Sequence, residues 1–307
     1  MKIISKIINR IRIYKEMFLF LCHDPKLFLK ICYLKIKKYF VWKNFMKSLI
    51  SKSSIYYGDL KLPIFSELGN NTEELKEIGI LSDIFMQNYE REILEYYRQV
   101  LKEGDIVVDI GANLGITAAY ALLCVKRKGT VYCFEPVNYL YKTLENFSRL
   151  NPGYNIKVQH EALADYIGKT EINVTKPPQI AGHTLSTEFA NIQIILNKQP
   201  VNVITFDSFA INNNLIGKIK LVKMDVEGFE LDVFRGMAKF LSSKSLPIIL
   251  FEIVPSNISL RNQTAEDFKK ILSDKYYFYN LQNLRREINL RDLKIRTNVV
   301  CLPKNFS

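Results

Sequence analysis

From about residue 82 onward, short and continuous apolar runs rich in β-branched residues recur, each followed by a segment of helical periodicity. The runs are Ile106–Ile110, Val131–Glu135, Ile156–Glu161, Ile219–Met224, Leu246–Ile253, Tyr276–Leu281 and Asn298–Leu302. Helices are expected from Leu114, from Val137, from Glu227 and near Thr264–Leu272. A strand that is apolar at nearly every position, rather than at alternate ones, has to be covered on both faces. Parallel pairing in turn needs a crossover long enough to hold a helix. The pattern predicts an α/β fold with a mostly parallel seven-stranded sheet and helices on both faces. Residues 166–205 interrupt the rhythm. There Thr170–Thr175 and Val201–Phe206 read as strands flanking a loop that contains Pro and Gly.

Charge is informative only once it is divided along the chain. Of the 307 residues, the first 50 hold twelve Lys/Arg against two acids, Glu16 and Asp24, while the remaining body is close to neutral. Within this arm Ile4, Ile7, Ile8, Ile11, Tyr14, Phe18 and Leu21 fall at helical spacing, and Lys26 to Leu49 interleaves lysines with Phe28, Ile31, Leu34, Tyr39, Trp42 and Phe45. Basic amphipathic helices of this kind read as membrane-surface segments, or as helices packed on the body with their lysines reaching water. The expected organisation is a basic amphipathic helical region over 1–81 and the α/β domain over 82–307. Five cysteines, an odd number with no C-x-x-C, and three scattered histidines give neither a disulfide framework nor a His-based metal centre. The longest stretch without Asp, Glu, Lys or Arg is Ile110–Val125, sixteen residues and short of the roughly 18–20 that cross a bilayer. No signal peptide is evident. The expected location is cytoplasmic, with peripheral contact at the inner face of the membrane through residues 1–50.

Ligands of open α/β sheets bind beyond the carboxyl ends of the strands. The first such end is Asp109-Ile-Gly111-Ala-Asn113-Leu-Gly115, where glycines let backbone N–H groups approach a ligand. The second is Glu135, placed to accept both hydroxyls of a ribose, and the third leads to Ala164-Asp165, whose carboxylate can accept an adenine amino hydrogen or cap a turn before Gly168. The middle glycine of the dinucleotide fingerprint is replaced by Asn113, and Asp109 stands beside the turn. A pyrophosphate does not favour an acid there, whereas the cationic groups of S-adenosylmethionine do.

The strings G-D-I-V-V-D-I-G-A-N-L-G (104–115), F-E-P (134–136), A-L-A-D-Y-I-G (162–168), T-F-D-S-F (205–209) and K-M-D-V-E-G-F-E (223–230), with Tyr89-Glu90 leading in, together resemble the FkbM-type methyltransferases over about residues 85–255. The resemblance implies a Rossmann-like class I methyltransferase fold, here with an N-terminal helical extension, and S-adenosylmethionine as cofactor. It also implies O-methylation of a sugar, glycan or glycolipid precursor. It makes Asp109, Gly111, Asn113, Gly115, Glu135, Ala164 and Asp165 cofactor contacts, and Tyr89 a substrate contact.

Methyl transfer needs an oxygen aimed at the methyl carbon and an acceptor for its proton. Asp225 is the candidate base or orienting acceptor, and Glu227 shares that role or joins it in holding a divalent cation. Asp225 also suits a helix N-cap, with Glu227 favourable in the first turn. Glu252 interrupts an otherwise apolar strand and is a further catalytic acid; the histidine that follows it in many family members is replaced by Ile253-Val254-Pro255. His183, in the 166–205 insertion, is a candidate substrate contact if that loop folds over the cleft, and otherwise a solvent-facing loop histidine. Two other readings stay open. One is an RNA 2′-hydroxyl methyltransferase using the basic arm for phosphates, against which the near-neutral body argues. The other is a binding protein that keeps the fold without turnover.

Overall fold

The computed structural model describes residues 55–63, 89–175 and 195–305. The basic segments of residues 1–50, and His183, lie outside them. A hairpin of β1 (Ile55–Tyr57) and β2 (Leu60–Leu62) and helix α1 (Arg91–Val100) precede the alternating part. That part begins β3 (Ile106–Ile110), α2 (Ile116–Val125), β4 (Thr130–Phe134), α3 (Asn138–Leu150), β5 (Asn155–Gln159). The interruption follows as β6 (Glu161–Leu163), β7 (Gly168–Thr175) and β8 (Ile195–Ile204). Alternation resumes with α4 (Phe206–Asn212), β9 (Ile219–Met224), α5 (Glu230–Arg235), β10 (Ile248–Ile253), α6 (Pro255–Leu260) and α7 (Ala265–Leu272). The chain closes with β11 (Tyr276–Asn280), β12 (Asn283–Glu287) and β13 (Thr297–Pro303).

The central sheet has the order β12–β11–β13–β10–β9–β3–β4–β5. β5, β4, β3, β9 and β10 pair in parallel, and β13, β11 and β12 are added antiparallel, one after another. Chain order reverses between β3 and β9, the switch point at which a crevice opens. The expected seven strands are corrected to eight. The extra one, β12, is an edge strand whose residues are mostly solvent-exposed, so no apolar pattern marks it. The third expected strand is corrected too: it stops at Gln159 and the chain breaks at His160, whose ring stacks on Tyr141. Glu161 then opens a second sheet of order β6–β8–β7, in which the β7–β8 pair is the hairpin expected in the insertion.

Successive strand residues feed two cores. Val107, Ile248 and Leu250 join the one beneath α1–α3, while Val108, Ile249 and Phe251 join the one beneath α4–α7. The helix beneath the first core, α2, is buried on almost every side. Its outward face is covered by the β1–β2 hairpin, whose Leu60 and Leu62 are fully buried. Asn151 fastens that hairpin, accepting from Lys61 N at 2.8 Å and donating to Lys61 O at 2.9 Å. Residues 55–63 precede the 81/82 boundary expected from sequence, and they pack on the body.

Candidate active site

The turn after β3 is shaped by its glycine. Gly111 has φ +76°, and a Cβ on it would stand 1.9 Å from the carbonyl oxygen of Asp225. The N–H of Asp225 donates to Ile110 O at 3.0 Å. The first and fourth strand ends are therefore locked backbone to backbone, and no side chain fits between them. Gly115, at φ +82°, is crowded by Leu144 and Leu62. It starts α2 but does not line the cleft that opens at this edge.

That cleft encloses roughly 1030 Å³ including its open mouth, of the order ligand pockets occupy. Its walls carry Tyr89, Glu90, Gly111, Asn113, Glu135, Glu161, Lys223, Asp225, Glu227 and Arg296. Six of the expected site residues are brought together here: Tyr89, Gly111, Asn113, Glu135, Asp225 and Glu227. Asp109, Ala164, Asp165 and Glu252 are not on the lining, and Asp165 is exposed. Ala164 is buried, with its carbonyl oxygen against Gly236.

Glu135 is buried at the end of β4, where its two carboxylate oxygens accept the N–H groups of Asn113 and Val137, both at 2.9 Å. A carboxylate has about four acceptor positions, so two remain for a pair of vicinal hydroxyls. Burial pushes its pKa up to about 7 despite these two bonds. Glu161 faces the same space from the start of β6. It closes the third apolar run of the sequence, where the expected acid is Asp165 instead.

Asp109 and Lys223 are direct neighbours across the β3–β9 pair. The Lys223 ammonium, 5 % exposed, lies 3.7 Å from Asp109 and 3.6 Å from Asp225. Thr117 Oγ1 donates to the other Asp109 oxygen at 2.6 Å. Burial pulls the Lys223 pKa down, but the two carboxylates outweigh it and the group stays firmly protonated. Asp109, 1 % exposed, holds Lys223 from behind the cleft lining. A lysine two residues before Asp225 shares its strand face, which is the signal that could have marked it.

The turn that bears Glu227 is over-determined. Glu227 sits at φ +50°, followed by Gly228 at φ +96°. Glu230 accepts from the N–H groups of Val226 and Gly228 at 3.2 Å, and Arg261 donates to Gly228 O at 2.8 Å while its guanidinium lies 3.8 Å over the Phe229 ring. Non-glycine residues in this backbone region cost about 1–3 kcal/mol, and three of them, Glu90, Asn113 and Glu227, line the cleft. Burial and the neighbouring Asp225 push Glu227 up to about 8. Glu252 stands behind the lining, ion-paired to Arg296. Burial and Asp225 push it up to about 7. Arg296, in the irregular segment before β13, had no signal in the sequence. Among the described residues, no group of three or more His, Cys, Asp or Glu is placed to hold a metal ion.

A crevice at the switch point of a doubly covered α/β sheet, with a buried carboxylate at the end of β4 and an acidic far wall, has the architecture of a class I methyltransferase. The sequence matches the Methyltransferase FkbM domain family over residues 109–279, more than half of the chain. The chain belongs to the FkbM methyltransferase family, and it is an S-adenosylmethionine-dependent methyltransferase. It is 24 % identical over 235 residues to the hexuronic acid methyltransferase AglP of Haloferax volcanii, covering 75 % of this chain and 88 % of that protein. Among solved structures it is similar to an FkbM methyltransferase of Methylobacillus flagellatus KT, with 18 % identity, TM-score 0.42, and 71 % of this chain and 52 % of that one covered. A further similarity is to an S-adenosylmethionine-dependent O-methyltransferase of Thermotoga maritima, with 11 % identity, TM-score 0.36, and coverage of 69 % and 65 %.

The residues fit the cofactor. Glu135 keeps acceptor capacity for ribose hydroxyls, and the cleft lining carries five carboxylates against two cations, which suits a cationic ligand.

Proposed function

We propose that this enzyme methylates a hydroxyl of a sugar, in a glycan or glycolipid precursor. The observation that carries the reading is the shared cleft, in which Glu135 and the Lys223–Asp225–Glu227 group face one space from neighbouring strand ends. The hexuronic acid specificity named for the Haloferax volcanii relative supports a sugar acceptor. When bound, S-adenosylmethionine supplies a methyl group made electrophilic by a cationic sulfur. In this reading Glu135 holds the ribose hydroxyls, the turn around Gly111–Asn113 lies beneath the cofactor, and Glu161 receives the adenine edge in place of Asp165. Asp225, steadied by Lys223, orients the acceptor hydroxyl, and Tyr89 offers a ring face to the sugar.

A divalent cation on Asp225 and Glu227 would have to compete with the Lys223 ammonium 3.6 Å from Asp225, so turnover is expected to survive a chelator. An RNA acceptor is disfavoured by the near-neutral charge of the chain beyond residue 50, where a nucleic-acid cleft is usually basic.

The test is transfer of labelled methyl to sugar acceptors, with the product bond identified. Asp225→Asn should lower kcat/KM by roughly 10²-fold, the loss that misplacing an oriented reacting group brings. It should leave stabilisation by S-adenosylhomocysteine intact. Methyl found on nitrogen, or on an RNA 2′-hydroxyl, would overturn the reading. Peripheral membrane contact rests on the basic residues 1–50. Their deletion should abolish sedimentation with anionic liposomes, and unchanged sedimentation would remove that proposal. No helix among the described residues is long and apolar enough to cross a membrane.

A further inference from the structure

Glu90 is not used by the assignments above. It sits at the N-terminus of α1 with φ +47° and ψ +37°, and its side chain makes no capping bond. Its neighbours are well anchored: the Glu90 carbonyl accepts from Ile93 N at 2.9 Å, and the Tyr89 carbonyl accepts from the Tyr120 hydroxyl at 2.8 Å. A glutamate pays a strain cost in this conformation that glycine or asparagine would largely avoid. The backbone here directs the side chain into the cleft, where it lines the same space as Asp225, Glu227 and Lys223. Among the described residues its carboxylate has no hydrogen bond and no ion pair.

The contrast with the other acids is sharp. Asp109 holds Thr117 and Lys223, Asp225 holds Lys223, Glu135 and Glu230 hold backbone N–H groups, and Glu252 holds Arg296. Glu90 is a half-buried carboxylate on the cleft wall with both oxygens at liberty, on a rigidly held backbone. We propose that Glu90 is the general base of the reaction, taking the proton of the acceptor hydroxyl while Asp225 orients that hydroxyl. The hydroxyl oxygen forms its bond to the methyl carbon as the carbon–sulfur bond breaks, with that bond's electron pair going to sulfur. The hydroxyl proton ends on the Glu90 carboxylate, and the leaving thioether is neutral. This rests on the sugar-hydroxyl reading.

The groups facing Glu90 are Lys223 and Asp225 from the end of β9, Asp109 from β3 and Glu252 from β10, with Arg296 on the same cleft wall. Burial raises the Glu90 pKa to about 7, with Lys223 opposing and the three acids reinforcing. A base so poised is effective near neutral pH.

The experiment uses the full chain with S-adenosylmethionine, and p-nitrophenyl β-glucuronide and p-nitrophenyl β-glucoside as acceptor probes, from pH 5 to 9. Glu90→Gln should lower kcat by 10²–10⁴-fold on whichever probe the wild type uses, with the thermal shift by S-adenosylhomocysteine unchanged. Glu90→Asp, which keeps an acid one methylene shorter, should retain part of the activity and the acidic limb of the pH profile. Activity of Glu90→Gln within threefold of wild type would overturn the proposal. So would loss of the S-adenosylhomocysteine shift, which would place Glu90 on the cofactor. If the wild type methylates neither probe, the sugar reading fails on its own. Unfolding then still judges Glu90: Glu90→Gln should be more stable than wild type at pH 8.5, and no gain there would refute an unpartnered carboxylate held among the cleft acids.

Discussion

Lys223 shows how much one buried side chain can hold. Two carboxylates converge on its ammonium, and one of them is fixed by a threonine from α2. Removing one partner of a buried charge cluster leaves the others uncompensated, at a cost of about 3–5 kcal/mol. Lys223→Met should therefore lower the urea midpoint markedly at pH 7. Part of the loss should return as pH falls, because burial already raises the Asp109 pKa and its protonation removes the uncompensated charge. A midpoint unchanged at pH 7 would show that the cluster contributes nothing net. At this scale the sequence was partly legible. Asp225, Glu227 and Glu135 stand at strand ends as their spacing implied, whereas the pairing of Asp109 with Lys223 follows from cross-strand register.

At the scale of elements, α2 explains why the body reaches back to residue 55. A helix buried on nearly every side cannot be finished by one sheet. The β1–β2 hairpin supplies its second cover, with Leu62 packed at the Gly115 turn. Leu62→Ala should destabilise by about 2–5 kcal/mol, the usual range for emptying a fully buried leucine site. A loss below 1 kcal/mol in chemical unfolding would mean that the hairpin is a dispensable attachment. Polar β12 and the break at His160 were invisible in the sequence for one shared reason. Strand recognition there relied on apolar runs, and an exposed edge strand has none, while a break inside a run leaves no trace.

For the whole molecule, the acid-rich cleft sets the response to pH. Glu90, Glu135, Glu230 and Glu252 are pushed up to about 7 and Glu227 to about 8, burial being the main cause in each. The folded state therefore binds more protons than the unfolded state between about pH 4.5 and pH 8, and stability falls as pH rises through that window. The slope is roughly 1.4 kcal/mol per pH unit for each extra proton held. It should flatten above about pH 8, once the folded acids have ionised. Urea midpoints from pH 5 to 9 test this, and a midpoint that rises with pH would contradict it. A cationic ligand should offset the trend, stabilising most at the alkaline end.

The sequence alone determined the layered α/β architecture, because fully apolar strands admit few ways of being covered, and it determined the family through short strings read in order. Strand-end acids were legible for the same reason: chain direction in a parallel sheet sends every such end to one edge. Tertiary structure decided which of those acids face the ligand. It paired Lys223 with Asp109 across two strands far apart in the chain, brought Arg296 to Glu252, and turned Glu90 inward through a left-handed residue. Those choices depend on register, burial and backbone conformation, and pairing between distant segments leaves no local mark on either of them.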